Sequence, residues 1–159
     1  MQRKSAADEV FMVRALALAR RGEGHTRPNP PVGAVVVSDG KIIGEGWHRR
    51  CGGDHAEVAA LKDTLRRGNS PKGASVYVTL EPCPMCAGAL VNARVEKVVY
   101  GASDIRFGAL GSLFNLSELR VNHKLTVEGG ILGGECRNLL SDYFKAKRKS
   151  KKSESDELS

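Results

Sequence analysis

No stretch of this sequence is long and apolar enough to span a bilayer, which takes about 20 residues. The first ten residues, MQRKSAADEV, contain no signal-peptide core. These two absences argue against a membrane partner and against export, and the chain is expected to be cytoplasmic. There is no internal repeat and no linker that would split the chain, so one domain is expected. Cysteine is scarce, with four in 159 residues: Cys51, Cys83, Cys86 and Cys136. In a cytosolic chain such a set binds metal or does chemistry more often than it forms disulfides. Disorder is excluded by composition, since 41% of the residues are hydrophobic.

Positive charge, in contrast, is plentiful, at a formal net +7. Six of the eight residues from 145 to 152 are Lys or Arg, while the last seven carry three acids and no base. Those six bases and three acids account for +3, which leaves +4 on the body. A basic body permits a polyanionic partner. The Lys-rich end reads either as part of that surface or as a solvated tail. The expected division is a single domain over 1–149 and a disordered polar tail over 150–159.

Residues 8–21 are rich in Ala and Leu and predict a helix, with Ser5 or Asp8 near its start and Gly22 after its end. HTRPNPP (25–31) is a rigid loop, because three prolines exclude a helix. Apolar β-branched residues predict a strand over 32–37. Asp39-Gly40 is a hairpin turn, and 41–47 returns as a second strand. Asp54 can cap a helix over 55–67 that Gly68 ends. A third strand is expected over 75–79, and a helix over 84–93 with Pro84 in its first turn. A fourth strand is expected over 95–100, a short helix near 113–119, a short fifth strand over 125–127 and a last helix from about Gly134 into the basic end. A hairpin followed by alternating strands and helices implies an α/β fold, with a mixed sheet and helices on both faces.

The chemistry lies in two fragments, His55-Ala56-Glu57 and Pro82-Cys83-Pro84-Met85-Cys86. Cys83 and Cys86 are three apart at a helix start, so both can reach one ion. Thiolates there gain from the helix dipole. His55, at another helix start, can supply a third ligand. Three protein ligands with a fourth position for water is the arrangement of catalytic zinc, here one Zn2+ per chain. Glu57 is then the proton shuttle between water, ring nitrogen and leaving ammonia. Residues two apart do not share a face of a regular helix, so His55 and Glu57 must splay from the helix end to meet one water. H-x-E followed by P-C-x-x-C is the recognised signature of zinc deaminases. The competing arrangement is a closed structural zinc with four protein ligands, the fourth being Cys51, Cys136 or His48.

The stretches VYVTLEPCPMCAGAL (76–90), GASDIRFGALGSL (101–113), VNHKL (121–125) and LLSDYFKAKRK (139–149) resemble bacterial tRNA-specific adenosine deaminases of the cytidine deaminase superfamily. The resemblance implies a three-layer α/β/α cytidine deaminase-like fold whose mixed sheet has five strands. It also implies a homodimer, an anticodon loop of tRNA as partner, and hydrolysis of its wobble adenosine to inosine. RPNPPVGAVVV (27–37) and GEGWHRRCGGDHAEVAAL (44–61) are instead similar to the riboflavin-biosynthesis deaminase domain, which acts on a phosphoribosylated pyrimidine. The tRNA enzymes typically carry Asn where this chain has His48, and a longer loop before the histidine ligand. Here only seven residues separate Trp47 from His55, as in the riboflavin enzymes. Those enzymes insert residues between the two cysteines, and this chain has a plain C-x-x-C.

The expected substrate contacts are Asn29, His48, Ala56, Asp104 and Arg106. Each polar one has an alternative. Asn29 meets the base edge or shapes its turn; His48 walls the pocket or is a satisfied structural histidine. Asp104 approaches the anticodon backbone or caps a turn; Arg106 meets phosphate or is solvated. Tyr143 and Phe144 belong to the core of the last helix, or one of them stacks on RNA. The leading reading is a tRNA adenosine deaminase. The others are a deaminase of a free base, nucleoside or phosphoribosyl-aminopyrimidine, and a non-catalytic RNA-binding module with structural zinc.

Overall fold

The computed structural model describes residues 6–157, with side chains through residue 149. The elements run α1 (Ala6–Arg20), β1 (Gly33–Ser38), β2 (Lys41–Trp47), α2 (Ala56–Arg66), β3 (Ser75–Leu80), α3 (Pro84–Asn92), β4 (Lys97–Ala102), a 3-10 turn (Leu116–Glu118), β5 (Thr126–Gly129) and α4 (Gly133–Glu157). The strands form one sheet in the order β2-β1-β3-β4-β5. β1 is antiparallel to β2 and β3, while β3, β4 and β5 are parallel. This is the mixed five-stranded sheet read from the sequence.

Strand alternation sorts the core into two layers. Ala34, Val36, Val76 and Val78 face Ala56 and Ala60 of α2 and Ala87 and Leu90 of α3. Their neighbours Val35, Val37 and Tyr77 face Met12, Ala15 and Leu18 of α1 and Cys136 and Leu139 of α4. The result is the three-layer α/β/α architecture. Asp39 and Gly40 take positive φ, 52° and 73°, as a two-residue hairpin turn requires.

Four local readings need correction. Strand β4 begins at Lys97, not at Val95, because Val95 is spent closing α3. Its N–H bonds Leu90 O and that of Arg94 bonds Val91 O, with Arg94 at φ 60°, which is a Schellman ending. Asp54 does not cap α2: its carboxylate takes Lys62 Nζ at 2.8 Å, and His55 is the N-cap residue, without a side-chain cap bond. The helix expected near 113–119 shrinks to the 3-10 turn, its start held by Asn115 Oδ1 accepting from Ser117 N–H. Helix α4 runs on through Glu157, where composition reads a disordered tail from residue 150. Ser5, a candidate start for the first helix, lies outside the described residues.

Strand β2 places α2. A Cβ on Gly46 would lie 2.4 Å from Ala60 N and 2.7 Å from Ala56 O, and one on Gly44 would lie 2.0 Å from Thr64 Oγ1. Helix α2 therefore rests on bare backbone of the edge strand, at a depth side chains there would forbid. Strand β3, in the middle of the sheet, delivers the Cys83 segment at its carboxyl end. Ligand sites in open α/β sheets favour that end of parallel strands.

Candidate metal centre and pocket

Two helix starts converge at this end. His55 is the N-cap of α2 with an extended backbone (φ −66°, ψ 157°), and Cys83 is the N-cap of α3 in the same conformation (φ −73°, ψ 172°). Because His55 stands outside the helix and Glu57 inside its first turn, the two side chains escape the helical spacing that would part them. Cys86, one turn into α3, is fully buried.

His55 Nδ1 lies 3.6 Å from Cys83 Sγ and 3.3 Å from Cys86 Sγ. The three candidate ligand atoms lie within 4.8 Å of one another. One imidazole nitrogen and two thiolates at this separation suit zinc. Among the described residues no fourth His, Cys, Asp or Glu joins the group. Cys51 is exposed, Cys136 is buried in the other layer of the core, and both ring nitrogens of His48 are engaged elsewhere. The closed four-ligand arrangement therefore finds no fourth protein ligand among the described residues.

The electrostatics match. A hydrogen bond from Cys86 draws the Cys83 thiol down to about 5, with a further contribution from His55. The same bond and burial hold the Cys86 thiol above its ordinary value. Of the two thiols Cys83 is the readier to lose its proton, as a cation ligand must. Glu57 is 4% exposed, and burial pushes its carboxyl up to about 7, the Cys83 charge adding to the rise. A carboxyl titrating there can both accept and return a proton near neutrality.

Beside this centre lies a pocket of about 390 Å³ lined by Asn29, residues 52–54, His55, Val58 and Met85. Asn29 is on its wall. His48 is not: 3% exposed, it stands behind Asn29. Its Nδ1 meets the Asp54 carbonyl at 2.9 Å and must be the protonated nitrogen, so Nε2 accepts from Asn29 Nδ2 at 3.1 Å. Asn29 is thereby held with its amide nitrogen inward and its carbonyl oxygen left over. The His48 ring also meets the His55 ring edge-on, centroids 5.6 Å apart. Ala56 is fully buried and is not among the residues lining the pocket.

Asp104 and Arg106 do not line this pocket. Asp104 Oδ1 accepts from the N–H groups of Arg106 and Phe107 and so caps its own turn, while the Arg106 side chain is exposed. Phe144 is 41% exposed and so not a core residue, and Tyr143 packs edge-on against it. Lys147 of α4 reaches the Pro28 carbonyl at 3.5 Å, next to Asn29. The sequence did not mark Val58 or Met85 as pocket residues, although each adjoins a motif residue. It also missed Glu81, a buried acid immediately before Pro82-Cys83. An acid at the end of an apolar strand was the available signal.

The chain matches the family model of the cytidine and deoxycytidylate deaminase zinc-binding region over residues 5–102. It is 41% identical to a tRNA-specific adenosine deaminase of Haemophilus influenzae, over 95% of this chain and 91% of the relative. A structure from studies of A-to-I editing by tRNA:A34 deaminases at the wobble position of transfer RNA superposes with a TM-score of 0.70 at 34% identity. That match covers 82% of this chain and 98% of the other. A diaminohydroxyphosphoribosylaminopyrimidine deaminase/5-amino-6-(5-phosphoribosylamino)uracil reductase of Thermotoga maritima superposes with a TM-score of 0.74 at 37% identity. It covers 88% of this chain, which spans only 42% of that protein.

Proposed function

Since the chain belongs to the cytidine and deoxycytidylate deaminase family of zinc-dependent hydrolytic enzymes, we propose that its substrate is the wobble adenosine of tRNA, converted to inosine. The observation that carries the chemistry is the cluster of His55 Nδ1, Cys83 Sγ and Cys86 Sγ beside buried Glu57 at an open pocket. His55, Cys83 and Cys86 are the residues that would hold one zinc ion. Zinc supplies Lewis acidity that makes water a nucleophile near neutral pH. As the water oxygen bonds to the amine-bearing carbon, Glu57 takes its first proton and delivers it to the ring nitrogen; it then carries the second proton, from the hydroxyl now on that carbon, to the amine. The C–N bond then breaks, ammonia leaves and the carbonyl forms. The Asn29 oxygen accepts from the base or its ribose, and the buried His48 keeps that oxygen aimed.

A base in an anticodon loop is already single-stranded, so presenting it to a pocket costs little unstacking. Contacts to its neighbours then fall to Asp104, Arg106 and the basic stretch of α4, whose Lys147 sits beside the Pro28–Asn29 turn. Exposed apolar side chains such as Met85 and Leu113, at 59% and 58%, support a homodimer. Residues 1–149 act as one deaminase domain in the cytoplasm. For the substrate, the near-complete span of the tRNA-specific relative favours RNA.

The second reading, a phosphoribosyl-aminopyrimidine, is favoured by the TM-score of 0.74 to the bifunctional enzyme and by the short turn before His55. A product assay separates them. Purified protein is offered an arginine-tRNA anticodon stem-loop, free nucleosides and a phosphoribosyl-aminopyrimidine, and ammonia release is measured. Inosine in the stem-loop is the expected result. Turnover of the aminopyrimidine nucleotide, with none on the stem-loop, would sink the RNA reading.

A further inference from the structure

Glu81 joins β3 to Cys83 and is 2% exposed. A carboxylate at that depth needs partners for its oxygens. Four donors meet it, and all come from the loop that follows β4. Oε1 accepts from the Asp104 N–H at 3.2 Å and from the Ser112 hydroxyl. Oε2 accepts from the N–H groups of Leu110 at 3.1 Å and Ser112 at 3.0 Å. The same segment and loop are tied twice more. Glu81 N–H donates to Ala102 O, and Ala109 N–H donates to Pro82 O, both at 2.8 Å. Gly108 packs so close that a Cβ on it would lie 2.2 Å from Glu81 Oε2.

The inner half of the loop is thus fastened to the segment that carries Cys83. The outer half stands free: Ile105 is 85% exposed, Phe107 is 63% exposed, and Arg106 has no side-chain partner among the described residues. The Asp104 carboxylate, accepting from two N–H groups, and the Gly108 N–H, donating to the Asp104 carbonyl at 2.8 Å, shape that tip.

We propose that Glu81 is a positioning residue for substrate recognition. It holds the tip at 104–107 in fixed relation to the metal segment, so that nucleotides flanking the target base meet a preformed surface. This rests on the RNA reading above. A single carboxylate can accept all four hydrogen bonds because it has no hydrogen of its own. The isosteric amide of Gln turns two N–H bonds toward the loop's donors and breaks that agreement.

The test is Glu81→Gln, with Ser112→Ala beside it, in the full zinc-loaded chain. For an anticodon stem-loop, Glu81→Gln should raise KM about tenfold or more with kcat within about twofold, the pattern of lost uniform binding. Zinc content should match the wild type, and amide hydrogen exchange at Leu110 and Ser112 should accelerate. Ser112→Ala removes one donor and keeps the carboxylate, so its KM should rise less, in the same direction. A drop in kcat at unchanged KM, loss of zinc, or unchanged kinetics in folded Glu81→Gln would overturn the assignment. If that variant does not fold, an unchanged KM in Ser112→Ala overturns it. If the wild type ignores the stem-loop, the RNA reading fails separately. Amide exchange needs no substrate, and undisturbed protection at Leu110 and Ser112 in Glu81→Gln would still refute the role of Glu81.

Discussion

Cys86 and Cys136 are both buried, on opposite faces of one sheet, and their surroundings give them opposite chemistry. Cys136 packs against Gly101 between α4 and the sheet, and burial pushes its thiol up to about 12. It remains an inert, apolar thiol. Cys86 is no less buried, but it has Cys83 and His55 within reach, and the Cys83 thiol falls to about 5. Burial alone silences a cysteine. A second sulfur, an imidazole and the start of a helix turn the same residue into half of a cation site. The layer of α1 and α4 supports the sheet, with buried Asp8 of α1 accepting from the Tyr77 hydroxyl; the layer of α2 and α3 carries buried Glu57 and the candidate ligands.

Removing the two sulfurs in turn is the strongest way to break that contrast. Cys86→Ala should lose its zinc, read by elemental analysis, and with it all measurable deamination. Next comes Glu57→Gln, which keeps the shape and removes the proton shuttle. Its turnover should drop by about 10² to 10⁴ with zinc content unchanged. Wild-type-like turnover would refute the assigned role.

Glu57 also predicts a pH effect on the zinc-free protein. Its folded value of about 7 lies above the unfolded one, so the neutral form favours the native state. That contribution is full below about pH 4.5 and is lost as the pH rises through about 7. Relative to Glu57→Gln, the zinc-free wild type should therefore lose about 3 kcal/mol of stability across that window in urea melts. Parallel curves for the two proteins would count against a buried, raised carboxyl. On the other face, Cys136→Ala should keep zinc and activity and cost about 1–2 kcal/mol of stability as a small cavity. Smallest of all, Cys51→Ser should change neither zinc content nor rate, since Cys51 is exposed and outside the ligand group. Zinc loss there would revive a closed site.

The metal half of the molecule was legible because its information is local. His55, Glu57, Cys83 and Cys86 lie in two short fragments, and helix starts fix their directions. The apolar β-branched run marked β1, the order of strands and helices placed helices on both faces of the sheet, and Asp39-Gly40 marked the hairpin turn. Boundaries failed where a residue's backbone was claimed by a neighbour, as Val95 is by the end of α3. The pocket was only partly legible. His48 was placed at its wall, yet its ring turns inward to the Asp54 carbonyl and Asn29. Glu81 escaped notice because its partners lie 23 to 31 residues away, in a loop with no periodic pattern.

Gly44 and Gly46 extend the reach of selection beyond the pocket. Helix α2 lies on their bare backbone, and the carbonyl of Ala56, next in the chain to His55, crowds the space over Gly46. A methyl group on Gly46 would lever the helix outward near the end that presents the imidazole, and one on Gly44 would press on Thr64 farther along it. What a lineage must preserve at those two positions is an absence, and its loss would surface as a fault in metal affinity at a site neither glycine touches.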